Sequence, residues 1–204
     1  MEQIKGWFAY KGLTTLQHED IPSKFRQLFM SVKPKQILEI GTFNGGFTVL
    51  LRDLLDELNL NSCPIRSYDI VNVGEYVKNY VEENQLNIEF RTKNLFTPNY
   101  DSLLEVDEVA DFINREGTTL VICDGGYKKN EFNAISKFLK TGDIIMAHDY
   151  CKNSNHFEEY IKDKIWNWCE IEDRDVENTC IEYNLHPFMQ EEFEKVVWLC
   201  RRKL

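Results

Sequence analysis

The chain has 204 residues, 43% hydrophobic, 13% aromatic and 28% charged. That is enough to bury roughly 70% of the surface exposed on unfolding, and too rich in core-forming side chains for a disordered or low-complexity chain. With 24 Lys and Arg against 34 Asp and Glu, the net charge is −10, which opposes phosphate backbones and anionic lipid and argues against nucleic-acid or membrane partners.

Residues 1–31 read as a helical or irregular N-terminal extension lacking the apolar h-region of a signal peptide. Later windows fall short of the eighteen or so apolar residues that span a bilayer, so the expected compartment is the cytoplasm. From 36 onward, short apolar runs alternate with amphipathic segments, which predicts an α/β fold with helices on both faces of a sheet. Buried parallel strands are expected at 36–40, 65–69, 88–91, 119–123 and 143–148. Phe47, Leu50, Leu51, Leu54, Leu55 and Leu58 fall on one helix face. Further helices are predicted at 75–84, 102–115, 129–139 and 154–168, and a sixth strand at 168–172. The polar stretch 173–190 reads as a loop or insertion, its acidic part (170–177) solvated. A closing strand at 195–200 leaves Arg201, Arg202 and Lys203 in water. A single domain over 1–204 is expected. Six cysteines at 63, 123, 151, 169, 180 and 200 show no CxxC pair, predicting neither a disulfide framework nor structural zinc, with Cys123 and Cys200 in the core.

The run Ile37-Leu38-Glu39-Ile40-Gly41-Thr42-Phe43-Asn44-Gly45-Gly46 puts a glycine-rich turn between a buried strand and that helix. In an open α/β sheet such a turn faces the ligand crevice at the strands' carboxyl ends. A dinucleotide fold wants a second glycine where Phe43 stands, so a pyrophosphate is crowded out; no Gly-Lys-Ser/Thr follows, so there is no Walker loop. A nucleoside without phosphates suits the turn. Asp69, ending the second strand before Ile70, is placed to accept ribose hydroxyls. Asn94 and Leu95, within Lys93-Asn94-Leu95-Phe96, fall where an adenine would lie. Asp124, His148 and Asp149 leave strands four and five at the same sheet edge, two carboxylates and an imidazole able to hold a divalent cation that would lower a substrate hydroxyl's pKa. Lys128 and Lys129 open the following helix.

The pattern Glu39-x-Gly41-x-x-x-Gly45 resembles motif I of the class I S-adenosylmethionine (SAM)-dependent methyltransferases. With Asp124 and the 148–149 pair it resembles their catechol-type and cephalosporin-hydroxylase-type O-methyltransferase branches. Lys33-Pro34, Gly45-Gly46, Gln17 and Asp20 extend the likeness over roughly 12–150. Two departures stand out: His148 replaces the first acid of the pair, and Tyr127 stands where the family often has histidine. The resemblance implies a Rossmann-like, doubly wound, mostly parallel seven-stranded sheet with its last strand antiparallel. It implies SAM held by Glu39, Gly41, Thr42, Phe43, Asn44, Gly45, Gly46, Asp69, Ile70, Asn94, Leu95 and Asp124. It also implies catalysis by Asp124, Lys128 and His148, magnesium or a softer divalent ion on Asp124, His148 and Asp149, and a small-molecule acceptor with a sugar or phenolic hydroxyl. Oligomeric state stays open, a homodimer included.

Plainer roles remain open for the same residues: structural glycines, a capping Asp149, a His148 bonded within the crevice, solvated lysines. The aromatic cluster 7–10 and Phe188-Met189 read as lids or as core. A nicotinamide-dependent oxidoreductase, disfavoured by Phe43, and a non-catalytic SAM-binding module are the alternatives in function.

Overall fold

The computed structural model describes residues 8–100 and 102–204; Trp7 of the N-terminal aromatic cluster lies outside them. Ala9–Tyr10 (β1) and Leu13–Thr14 (β2) form an antiparallel hairpin. Ile21–Val32 forms helix α1, opened by Pro22 in its first turn, where a missing N–H costs nothing. It buries Ile21, Phe25, Leu28 and Phe29, so this part of the extension belongs to the core. Gln36–Ile40 (β3), Ile65–Asp69 (β4), Ile88–Thr92 (β5), Thr119–Cys123 (β6) and Ile144–Ala147 (β7) are the five expected parallel strands. Between them run Gly46–Glu57 (α2), Glu75–Glu83 (α3), Val106–Ile113 (α4) and Lys128–Ser136 (α5).

Because helices cover both faces, β3 and β6 are buried at every position. Leu38, Val121 and Ile145 face Phe112 and Phe132 on one side, and Ile37, Ile122 and Met146 face Phe25, Leu51 and Phe193 on the other. The seven-stranded order is β10-β11-β7-β6-β3-β4-β5, where Leu185–Pro187 is β10 and Leu199–Lys203 is β11. β11 runs antiparallel to both neighbours, as expected. Successive parallel strands run outward from β3 in opposite directions, so a crevice opens between β3 and β6 at the sheet's carboxyl edge. Among the described residues no helix is long and apolar enough to cross a membrane.

The expectations fail after β7. The 173–190 stretch is not a loop: Asp173–Glu182 is a helix (α7, following a short helix α6 at Ser154–His156), and β10 follows it. The acids that made the stretch look solvated start α7. Glu172 and Asp175 form its capping box, and Asp173 and Asp175 sit at the positive end of its dipole. The closing strand lies four residues later than predicted, because Val196, Val197 and Trp198 form a fully buried turn after Gln190–Glu194 (α8), as apolar as any strand. Arg201 is therefore within β11, buried against Gln190 and Asp173, rather than beyond it in water. The 154–168 helix stops early: α6 runs into a π-turn at Phe157–Ile161. The expected sixth strand shrinks to Ile171–Glu172 (β9), paired in parallel with Tyr150–Cys151 (β8) outside the main sheet.

That side pairing corrects the cysteine expectation, because Cys151 and Cys169 are joined in a disulfide across 18 residues and the other four cysteines are free. A lone pair at such a spacing carries no sequence signature. Thiol titration of the denatured, unreduced protein should find four thiols, rising to six after reduction. Cys151→Ser should lower stability by about 3 kcal/mol in urea melts, from loop-closure entropy.

Candidate active site

The turn after β3 is built by close backbone approach. Gly41 has φ +97°, and a Cβ there would stand 2.2 Å from the Asp124 carbonyl oxygen, so only glycine lets the β3 and β6 loops meet. Phe43, at φ +48°, donates its backbone N–H to Asp69 Oδ2 at 2.8 Å, and Val71 N–H reaches Asp69 Oδ1 at 2.9 Å. Gly46 lies under the N-terminal hairpin, where a Cβ would come within 2.6 Å of Thr14 O. Glu39 points to the α2 side of the sheet, accepting Thr48 Oγ1–H at 2.6 Å and leaving Oε1 buried without a partner. Burial pushes its carboxyl up to about 7, with the neighbouring Ser67 and Thr48 hydroxyls opposing the rise and the charges of Asp124 and Asp69 adding to it.

Two cavities meet at this turn. The larger, about 390 Å³, runs along Asp69, Ile70, Asn94 and Leu95 to the Tyr100 and Tyr127 rings, whose centroids are 4.0 Å apart. The smaller, about 280 Å³, is lined by Thr42, Phe47, Lys128, His148, Asp149 and, on its outer wall, Trp166, Trp168 and Glu170. Leu16, Gly41, Phe43 and Asp124 line both. Of the residues expected to hold SAM, Gly41, Thr42, Phe43, Asp69, Ile70, Asn94, Leu95 and Asp124 face these cavities; Glu39, Asn44, Gly45 and Gly46 do not. Asn44 is exposed, and the other three support the turn from behind.

Asp124 is fixed from two sides, accepting Gln17 Nε2–H at Oδ2 (2.7 Å) and facing His148 Nδ1 with Oδ1 (3.0 Å). The His148 ring stacks on Trp198, centroids 4.8 Å apart, and Trp198 Nε1 donates to Gln17 Oε1. His148 is 2% exposed, and its Nε2 is buried without a partner. Burial opposes its charged form, but Asp149 and Asp124 outweigh burial and the repulsion of Lys128, so its pKa lies above the usual histidine value. Burial pushes Asp149 up, yet the charges of His148 and Lys128 hold its carboxyl below the usual range. Lys128, read from sequence as equally consistent with a solvated residue, is 6% exposed; Lys129 is exposed.

No family model and no curated protein matches the chain. Solved structures do. CmcI-N160 in its apo form is 14% identical with a TM-score of 0.65, the match covering 97% of this chain and 76% of that one. CmcI-D160 in an Mg–SAM form is 18% identical with a TM-score of 0.61, covering 97% and 77%. An O-methyltransferase family protein from Burkholderia thailandensis is 9% identical with a TM-score of 0.59, covering 91% of this chain and 55% of that one. This chain has the O-methyltransferase fold.

On this O-methyltransferase fold, the residues expected to bind a metal do not fit one. Asp149 Oδ1 accepts Trp166 Nε1–H at 2.5 Å and Oδ2 meets Lys128 Nζ at 2.8 Å, while both Asp124 oxygens are engaged. Among the described residues, the acids and histidines that gather closely enough to share an ion do not include this trio; the group that does is the disulfide pair with Glu172. Sequence reasoning also missed Glu131, whose carboxylate accepts Gly125 and Tyr127 N–H, each at 3.1 Å, and shapes the loop after Asp124. Burial pushes that carboxyl up to about 7. Trp166, Trp168 and Glu170 were read as helix, strand and solvated loop, and no spacing marks them as a cavity wall.

Proposed function

We propose that the chain transfers a methyl group from SAM to a hydroxyl of a small-molecule acceptor, with SAM in the larger cavity and the acceptor in the smaller one. The observation that carries this reading is the field at the shared turn: the charges of Asp124 and Asp69 raise the energy of Glu39's charged form, and a cationic sulfonium and ammonium relieve that repulsion. A nicotinamide dinucleotide brings two phosphate charges and worsens it, which disfavours the oxidoreductase reading. The chemistry on the wall suits the rest of the donor. Asp69 can accept ribose hydroxyls, and an adenine can lie along Leu95 with the Tyr100 and Tyr127 rings beside it. The similar CmcI-D160, in an Mg–SAM form, supports the choice of donor.

SAM, when bound, supplies an electrophilic methyl on a positively charged sulfur. The chain's part is to align the acceptor and take its proton. His148, which lines the smaller cavity and whose Nε2 is buried without a partner, is the acceptor's base, and Asp124 on Nδ1 holds the ring's orientation and stabilises the imidazolium. The aromatic wall of Phe47, Trp166 and Trp168 suits a flat phenolic ring or the apolar face of a sugar.

Calorimetry tests the donor half. SAM and its demethylated product should bind saturably, NADH should not, and Asp69→Ala should weaken SAM about 10- to 100-fold, the worth of hydrogen bonds to a charged group. Absence of heat with either sulfur compound ends the reading.

A further inference from the structure

One of the three residues expected to hold a divalent ion, Asp149, already holds a cation, the Lys128 ammonium. Lys128, from the first turn of α5, reaches back under the β6 loop and places Nζ 2.8 Å from Asp149 Oδ2, 3.0 Å from Glu170 Oε2 and 2.9 Å from the Gly125 carbonyl oxygen. An ammonium has three donors, and these partners use all three. Its neighbours are not equally firm: the Asp149 side chain is 9% exposed and the Glu170 side chain 40%. Asp149 is further pinned by Trp166 Nε1, whereas Glu170 stands at the mouth of the 280 Å³ cavity. The other changes around the position agree. Where an oxygen-loving ion would want a carboxylate, His148 turns Nδ1 to Asp124, and Gln17 takes Asp124's second oxygen.

We infer that Lys128 is a tethered cation standing in for the divalent ion, so that the acceptor's oxygen binds its ammonium by displacing Glu170, and the site excludes Mg2+. This deepens the methyl-transfer reading and rests on it for the acceptor's identity, but not for the exclusion of the ion. Lys128 acts here as an orienting charge and His148 as the base. Displacing Glu170 frees one of the three donors, so the acceptor meets the ammonium through a single oxygen rather than the two vicinal oxygens a metal ion can chelate. The ligand class is therefore a mono-hydroxyl or isolated-hydroxyl acceptor.

The test uses Tb3+ luminescence excited through tryptophan, with Mg2+ as competitor and neither SAM nor acceptor present, so its outcome is independent of the donor reading. The wild-type protein should show no saturable, Mg2+-competed emission. Lys128→Met, which removes the ammonium while keeping an unbranched side chain, should gain a one-to-one site beside Trp166 and Trp168, and adding Asp149→Asn should abolish it. Lys128→Arg, checked for folding by circular dichroism together with Lys128→Met, should gain none. A saturable wild-type site that Asp149→Asn removes would overturn the inference, as would a folded Lys128→Met protein that gains no ion. If Lys128→Met does not fold, the wild-type titration decides alone: an ion bound there refutes the exclusion and its absence upholds it. Once an acceptor is in hand, turnover should be unchanged by chelators.

Discussion

Changing His148 to glutamine should lower the rate of methyl transfer about 10²- to 10⁴-fold, the usual contribution of a positioned general base, with SAM affinity unchanged. His148 follows β7 at the sheet's carboxyl edge and lines the smaller cavity, its ring stacked on Trp198, with Nδ1 on Asp124 and Nε2 buried without a partner. Glutamine keeps a donor for Asp124 but no site that takes a proton near neutrality. The pH dependence separates this role from a packing role. Burial disfavours the imidazolium, Lys128 repels it, and Asp149 and Asp124 more than compensate, so the folded pKa lies above the usual value of about 6.5. The active base is the neutral ring, so the wild-type rate should climb with pH through a midpoint above that value, and the variant's should not. Stability runs the other way. A raised histidine pKa contributes stability that is fully present below the unfolded value and is lost as pH rises through the folded one, so His148→Gln should cost more at pH 5 than at pH 8. A variant with the wild-type rate profile would remove His148 from the chemistry.

What could be read in advance follows a physical division. The parallel strands were legible because β3 and β6 are covered on both faces, and such strands are uninterrupted apolar runs. Gly41, Asp69, Asp124 and His148 were legible because parallel topology sends every strand end to the same edge. Beyond β7 these rules lose their hold. The Val196 to Trp198 turn is as buried as a strand, and α7 starts on acids that also suit a solvated loop. The smaller cavity's outer wall depends on the Cys151–Cys169 bond and on Trp166 finding Asp149, both long-range pairings without a sequence period. Lys128 shows the same limit from the other side. An isolated lysine at a helix start is ordinarily solvated, and only the fold brings Asp149 and Glu170 around it.

The packing of the donor turn makes the second large expectation quantitative. Gly41→Ala should destabilise the protein by about 2–6 kcal/mol, a sum of about 1–3 for a side chain held at positive φ and about 1–3 for overpacking, and should abolish SAM binding in whatever remains folded. The added methyl would meet Asp124 O at 2.2 Å, Asp124 C at 2.4 Å and Gly125 N at 2.6 Å, all backbone atoms that cannot rotate away. Nor can the strands part cheaply, since Gly41 N–H donates to Tyr68 O and Asp124 N–H to Ile40 O, each at 2.8 Å, and Asp124 carries the base's partner. Gly12, in the β1–β2 turn, supplies the control: its φ is +79° and nothing lies within 4 Å of its Cβ position. Gly12→Ala therefore incurs the backbone term alone, about 1–3 kcal/mol, and should leave SAM affinity intact. Thermal melts and calorimetry on the two variants separate strain from contact. Equal losses in both would mean that the β3 and β6 loops do not approach as closely as Gly41 requires, and the shared wall between donor and acceptor cavities would go with that contact.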